Sequence, residues 1–74
     1  MTFERCIAVE IAYPSRAARE YGVVCATMRF PTEPPYKIEF YEDEINFTEE
    51  ELVGLTVPEA NELYRRKDIA FLQS

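Results

Sequence analysis

Residues 20–30 read EYGVVCATMRF, and the fold turns on how they alternate. Val24, Ala26, Met28 and Phe30 share one face of an extended chain; Tyr21, Val23, Cys25, Thr27 and Arg29 share the other. Period-two patterning in β-branched and aromatic residues predicts a strand with a buried side. Upstream, residues 3–13 (FERCIAVEIAY) alternate too. Phe3, Ile7, Val9, Ile11 and Tyr13 fall on the apolar face, and Glu4, Cys6, Ala8, Glu10 and Ala12 oppose them. Pro14 ends that run, and PSRAARE reads as a connection with one helical turn started by the proline.

Two such strands predict an antiparallel hairpin. Core residues are odd-numbered in the first strand and even-numbered in the second, so paired numbers must sum to an odd value. A sum of 31 sets Cys6 opposite Cys25; a sum of 33 sets Ala8 there. An even sum would turn one apolar face to water. On this reading Ile7 is core, and Ile7→Asp unfolds the protein.

Downstream, PTEPP (31–35) is a rigid link. YKIEFY (36–41) alternates with Tyr36, Ile38 and Phe40 inward. Glu42-Asp43-Glu44 makes a turn, and INF (45–47) returns as a short strand. Thr48-Glu-Glu-Glu51 and Thr56-Val-Pro-Glu59 are capping-box sequences, each starting a helix. Gly54 closes the first helix after Leu52 and Val53. The second, over 56–72, carries Val57, Ala60, Leu63, Tyr64, Ala70 and Phe71 on one stripe. Lys67 lies on that stripe and must snorkel. Glu62 and Arg66 are an i,i+4 pair. Ile69 and Leu72 lie off the stripe. Either the helix breaks near Asp68, or the DIAFL segment is apolar on several sides and touches more than its own sheet. The predicted fold is α+β: one domain, residues 1–74, with an antiparallel sheet of three to four strands and a C-terminal helix packed on one face.

Composition bounds the function. A chain of 74 residues buries only about 60% of its unfolded surface, and its apolar fraction of 47% is that of a folded domain. No apolar run reaches the roughly 20 residues a bilayer requires, and Glu4 and Glu10 interrupt any signal-peptide core. A cytoplasmic protein with no membrane partner is expected. The net charge is −6, with ten acids and one lysine, Lys37, between Glu33 and Glu62. Such a surface repels nucleic acid and attracts basic proteins.

Histidine is absent, which removes the commonest general base and the Ser-His-Asp and Cys-His arrangements. Gly22 and Gly54 are the only glycines, so no Gly-rich phosphate loop exists. Paired carboxylates as glycosidase-like acids need a cleft that a chain of this size rarely encloses. EDEINFTEEE lacks EF-hand spacing. Two thiolates without histidine leave a zinc site half empty. No enzyme, cofactor or metal is expected. Cys6 and Cys25 read as small half-buried residues rather than a redox pair, since no cation is placed to lower a thiol pKa. The face carrying Cys6, Ala8, Ala12, Tyr21, Val23, Cys25 and Thr27 is too apolar for an ordinary solvent face. It packs either within the chain or against a second copy.

Glu49, Glu50 and Glu51 complement a helix start. Glu42, Asp43 and Glu44 have no such local account. With Glu33 and Glu39 they are the expected contact surface for a basic partner, and Tyr36 and Tyr41 are its aromatic anchors. By size and charge the chain looks like the small acidic proteins of phages and mobile elements, such as anti-CRISPR proteins and DNA mimics. That resemblance implies a non-catalytic inhibitor occupying a basic, nucleic-acid-binding surface of a larger protein. The alternative is a homo-oligomeric accessory protein joined through the small-residue sheet face or the C-terminal tail.

Overall fold

The computed structural model describes residues 3–73. Six elements follow in order: β1 (Ala8–Ala12), α1 (Arg16–Tyr21), β2 (Val23–Arg29), β3 (Tyr36–Tyr41), α2 (Glu49–Leu52) and α3 (Val57–Gln73). The three strands form one antiparallel sheet in the order β1-β2-β3. The class is α+β, as the sequence predicts.

β2 is the central strand because its inward residues satisfy both neighbours. Val24, Ala26, Met28 and Phe30 are all buried, and β3 adds Ile38 and Phe40. The registers place Ala26 between Ile11 and Ile38, and Met28 between Val9 and Tyr36. Leu52 and Ala60, both fully buried, close the core from α2 and the start of α3, with Val57, Leu63 and Tyr64 packed beside them.

The β1–β2 sum is odd, as core-facing demands, but it sets Ala12 opposite Cys25. Neither Cys6 nor Ala8 stands there. The connection is longer than one turn. Ser15 caps α1 through Oγ, which accepts from the Ala18 N–H at 3.1 Å. Gly22 ends the helix at φ +73°, where an L side chain is strained. Residues 20–22 are therefore helix and cap, and the strand begins at Val23.

β1 is also shorter than residues 3–13. The Ile7 N–H donates to the Arg29 carbonyl at 2.9 Å, although Ala8 is the ladder partner of Arg29. Two residues against one is a β-bulge, and it reverses the alternation before it. Ile7 is 61% exposed and Cys6 only 3%. The expectation that Ile7 is core, and that Ile7→Asp unfolds the chain, is thus corrected. Phe3 and Tyr13, also expected inward, are exposed at 48% and 40%. Cys6 instead pairs its backbone with the helix-to-helix joint: its N–H donates to Leu55 O and its carbonyl accepts from Gly54 N, both at 2.8 Å.

Residues 45–47 are not a strand. The Glu44 and Ile45 N–H groups both turn back to the Tyr41 carbonyl, at 3.0 and 3.1 Å. Phe47 still reaches the core, edge-on to Phe40 at 5.1 Å and stacked on Tyr64 at 5.7 Å. Cys6 and Cys25 are unlinked buried thiols. α3 runs unbroken through Asp68 to Gln73. No helix among the described residues is long and apolar enough to cross a membrane.

Candidate functional site

The sheet has two faces. Its core face carries α2 and α3; on its open face, alternation places Glu10 and Ala12 of β1, the odd-numbered β2 residues, and Lys37, Glu39 and Tyr41 of β3. Small residues in the middle leave a shallow groove lined by Glu10, Ala12, Cys25, Thr27, Arg29 and Lys37. That part is mixed in charge: Arg29 pairs with Glu10 at 3.3 Å, and Lys37 stands opposite Thr27.

The other end of the face differs. The Glu42 N–H donates to the Gly22 carbonyl at 2.9 Å, joining the β3 turn to the end of α1. Tyr21, 76% exposed, is the last residue of α1 just before this joint, and Tyr41, 52% exposed, is the last residue of β3 just before Glu42. Glu39 sits one pleat back on the same face, and Glu42, Asp43 and Glu44, all exposed, form the turn beyond. Tyr21, Tyr41, Glu39 and the 42–44 turn therefore gather at one corner, the end of the sheet where α1 meets β3, with Glu42 turned to the Ile11–Val24 side. The Tyr64 pKa is raised by burial, then by the charges of Asp68 and Glu44.

Glu42 has a structural role that its sequence position conceals. Gly22 has no side chain, and a Cβ there would lie 3.6 Å from Glu42 Cγ. Over this gap Glu42 crosses the start of β2, and Tyr13 Oη donates to its Oε2 at 2.6 Å. β3 and β1, the two edges of the sheet, are tied together. The Tyr13 hydroxyl's pKa is raised, first by that hydrogen bond, then by burial and the carboxylate's charge; Arg19 opposes the shift. The Arg19 guanidinium lies 5.9 Å from the Tyr13 ring centroid. The reading that all three turn acids lack a local role therefore fails for Glu42.

Two of the expected site residues lie elsewhere. Tyr36 is on the core face, half-buried, and its hydroxyl donates to Asn61 Oδ1 of α3 at 2.6 Å. Glu33 lies before β3, so the whole strand, about 17 Å from Tyr36 to Tyr41 at the rise of an extended chain, stands between it and Tyr41. Its Oε1 accepts from the Glu4 N–H at 2.8 Å, while its own N–H donates to Glu4 Oε1 at 2.6 Å. The corner retains Glu39, Tyr41, Glu42, Asp43 and Glu44, and gains Tyr21 and Tyr13. The signal for Tyr21 was Ser15 with RAAREY and Gly22, a capped helix with a glycine stop. Reading 20–30 as one strand hid it.

Of the second acid cluster, Glu51 is engaged internally. Thr48 and Glu51 form the expected capping box, and Lys67 Nζ reaches Glu51 Oε2 at 2.8 Å while lying 5.1 Å from the Phe47 ring centroid. This is the expected snorkel. Lys67 holds the Glu51 carboxyl below its ordinary range, and the Thr48 N–H assists. Among the described residues no three acid or thiol side chains converge as a metal site.

No family model, no curated protein and no solved structure matches this chain.

Proposed function

We propose that this chain is a non-catalytic binding protein whose contact surface is the acid–tyrosine corner where the turn after β3 meets the end of α1. The observation that carries this reading is the exposure of Tyr41 between Glu39 and the Glu42–Glu44 turn, with exposed Tyr21 next to the Gly22–Glu42 joint. Tyrosines anchor interfaces at low conformational cost, and carboxylates around them attract a lysine- and arginine-rich surface. The partner is a basic protein, met in the cytoplasm. Small size and a net charge of −6 support the phage-type form of this reading: an inhibitor of the anti-CRISPR or DNA-mimic kind that fills a nucleic-acid-binding groove without binding nucleic acid itself.

A photo-crosslinking residue at Tyr41 tests the surface, with one at Lys37 as the control on the same strand. Capture of a protein through a Lys/Arg-rich segment is expected from position 41 and not from 37. The variant Glu39→Gln, Asp43→Asn, Glu44→Gln spares the Glu42–Tyr13 tie. It should keep the fold while the association rate falls and loses most of its salt dependence. Unchanged association would reduce the run to a solubilising loop.

A further inference from the structure

Charge along α3 is uneven: Glu59 and Glu62 lie in its first half, and Arg65, Arg66 and Lys67, followed by Asp68, in its second. Glu59, Glu62, Arg66 and Ile69 follow one another at spacings of three and four, so they share one flank, turned away from buried Ala60. Along that flank runs a groove of about 370 Å³, between α3 and the Glu51–Leu55 segment. Half-buried Leu55 and Leu63 lie in it, and Glu59, Glu62 and Arg66 edge it. Further along the helix Ile69 and Leu72 are 41% and 72% exposed.

The acids of this groove already have cations. Glu59 pairs with Arg5 at 3.2 Å, Glu62 with Arg66 at 3.6 Å, and Glu51 with Lys67 at 2.8 Å. What the flank lacks is cover for apolar surface at both ends: a groove beside its acidic half, and exposed isoleucine and leucine at its basic half. A second copy of the same helix, run antiparallel, supplies both at once. We propose that two copies pair through this flank about a twofold axis near position 64. Glu62 of each copy faces Arg66 of the other, and Ile69 of each enters the other's Leu55–Leu63 groove. The interface is isologous, so each favourable contact occurs twice. Antiparallel helix dipoles add to the charge match, whereas a parallel pair would set Glu62 on Glu62. A helix of 17 residues spans about 25 Å, which makes a small interface and a concentration-dependent dimer. This surface shares no residue with the acid–tyrosine corner, and the two proposals stand or fall separately.

Sedimentation velocity over a range of concentrations tests it. The 8.7 kDa chain should double in mass as concentration rises, and concentration-dependent NMR shifts should cluster on Leu55 and on α3 from Glu59 to Leu72. Glu62→Arg and Arg66→Glu should each be monomeric alone and form a heterodimer when mixed, because the mixture restores both charge pairs. Ile69→Asp should abolish the dimer with an unchanged far-UV circular dichroism spectrum. A chain monomeric at several hundred micromolar would overturn the proposal. So would a dimer whose shifts lie elsewhere, or one indifferent to the mixed-charge experiment.

Discussion

Cys6 and Ile7 exchange the places that strict alternation assigns them, and the cause is a single hydrogen bond from Ile7 N to Arg29 O. Ile7→Asp should therefore change stability by only about 0.5 kcal/mol, as exposed substitutions do. Cys6→Asp should leave no folded state, because an unpaired buried charge costs several kcal/mol against a small total. Urea titration of the pair decides it; unfolding by Ile7→Asp would return Ile7 to the core. Alternation was legible in β2 and β3, where Val24, Ala26, Met28, Ile38 and Phe40 are buried as read. It failed in β1 because a bulge depends on what the partner strand presents, and no glycine marks this one. Gly22 is a different case: its helix stop is written in the sequence, but the room it leaves for Glu42 is visible only in three dimensions. At φ +73°, Gly22→Ala should cost about 1–2 kcal/mol from the left-handed backbone. Its added Cβ, 3.6 Å from Glu42 Cγ, meets only ordinary contact. A midpoint equal to that of the unsubstituted protein would show that the backbone relaxes there.

At the scale of elements, α2 and α3 were more legible than the strands because their starts are written locally. Thr48 Oγ1 accepts from the Glu51 N–H at 3.2 Å, and Thr56 Oγ1 accepts from the Glu59 N–H at 3.4 Å. In return Glu51 and Glu59 each accept from their threonine's N–H at 2.9 Å. Thr48→Ala and Thr56→Ala should each cost about 1 kcal/mol, and the serine variants much less. Equal losses for alanine and serine at either position would refute that cap. Leu52, fully buried at the end of α2, should lose about 2–5 kcal/mol on truncation to alanine. The segment 45–47 shows why alternation alone misleads. Ile45 and Phe47 do turn inward, but their backbone joins no ladder, and periodicity reports side-chain direction rather than hydrogen bonding. The candidate site was half legible for a related reason. Tyr36 and Tyr41 differ by five positions, so one strand must put them on opposite faces. Tyr21 joined the corner only once α1 and Gly22 were recognised as helix and stop.

For the molecule as a whole, three carboxylates connect segments that the core alone leaves loosely joined. Glu4 holds the link after β2, accepting from the Thr32 hydroxyl at 2.6 Å and from the Thr32 and Glu33 N–H groups. Glu59 caps α3 and holds Arg5; Glu51 caps α2 and holds Lys67. Each has its pKa lowered from 4.5 by these partners: chiefly the Thr32 hydroxyl for Glu4, the Lys67 ammonium for Glu51 and the Thr56 N–H for Glu59. A carboxyl that holds its proton less tightly when folded contributes stability fully present above the unfolded value. That contribution is lost as pH falls through the lower, folded value. Stability should therefore be level from neutral pH down to about 4.5 and decline below it. Tyr13 shapes the alkaline side together with Tyr64, whose pKa is raised by burial and then by the charges of Asp68 and Glu44. Their raised pKa values mean the unfolded chain ionises first, so stability declines as pH rises above about 10. Urea midpoints between pH 3 and 11 measure both limbs. Glu51→Gln should lower the midpoint at pH 7 and make only the acid limb shallower, with Glu4 and Glu59 keeping the rest, while Tyr13→Phe should make only the alkaline limb shallower, with Tyr64 keeping the rest. An acid limb equally steep in Glu51→Gln would mean that the Glu51–Lys67 tie contributes nothing. The acidity of the chain would then serve its surface alone.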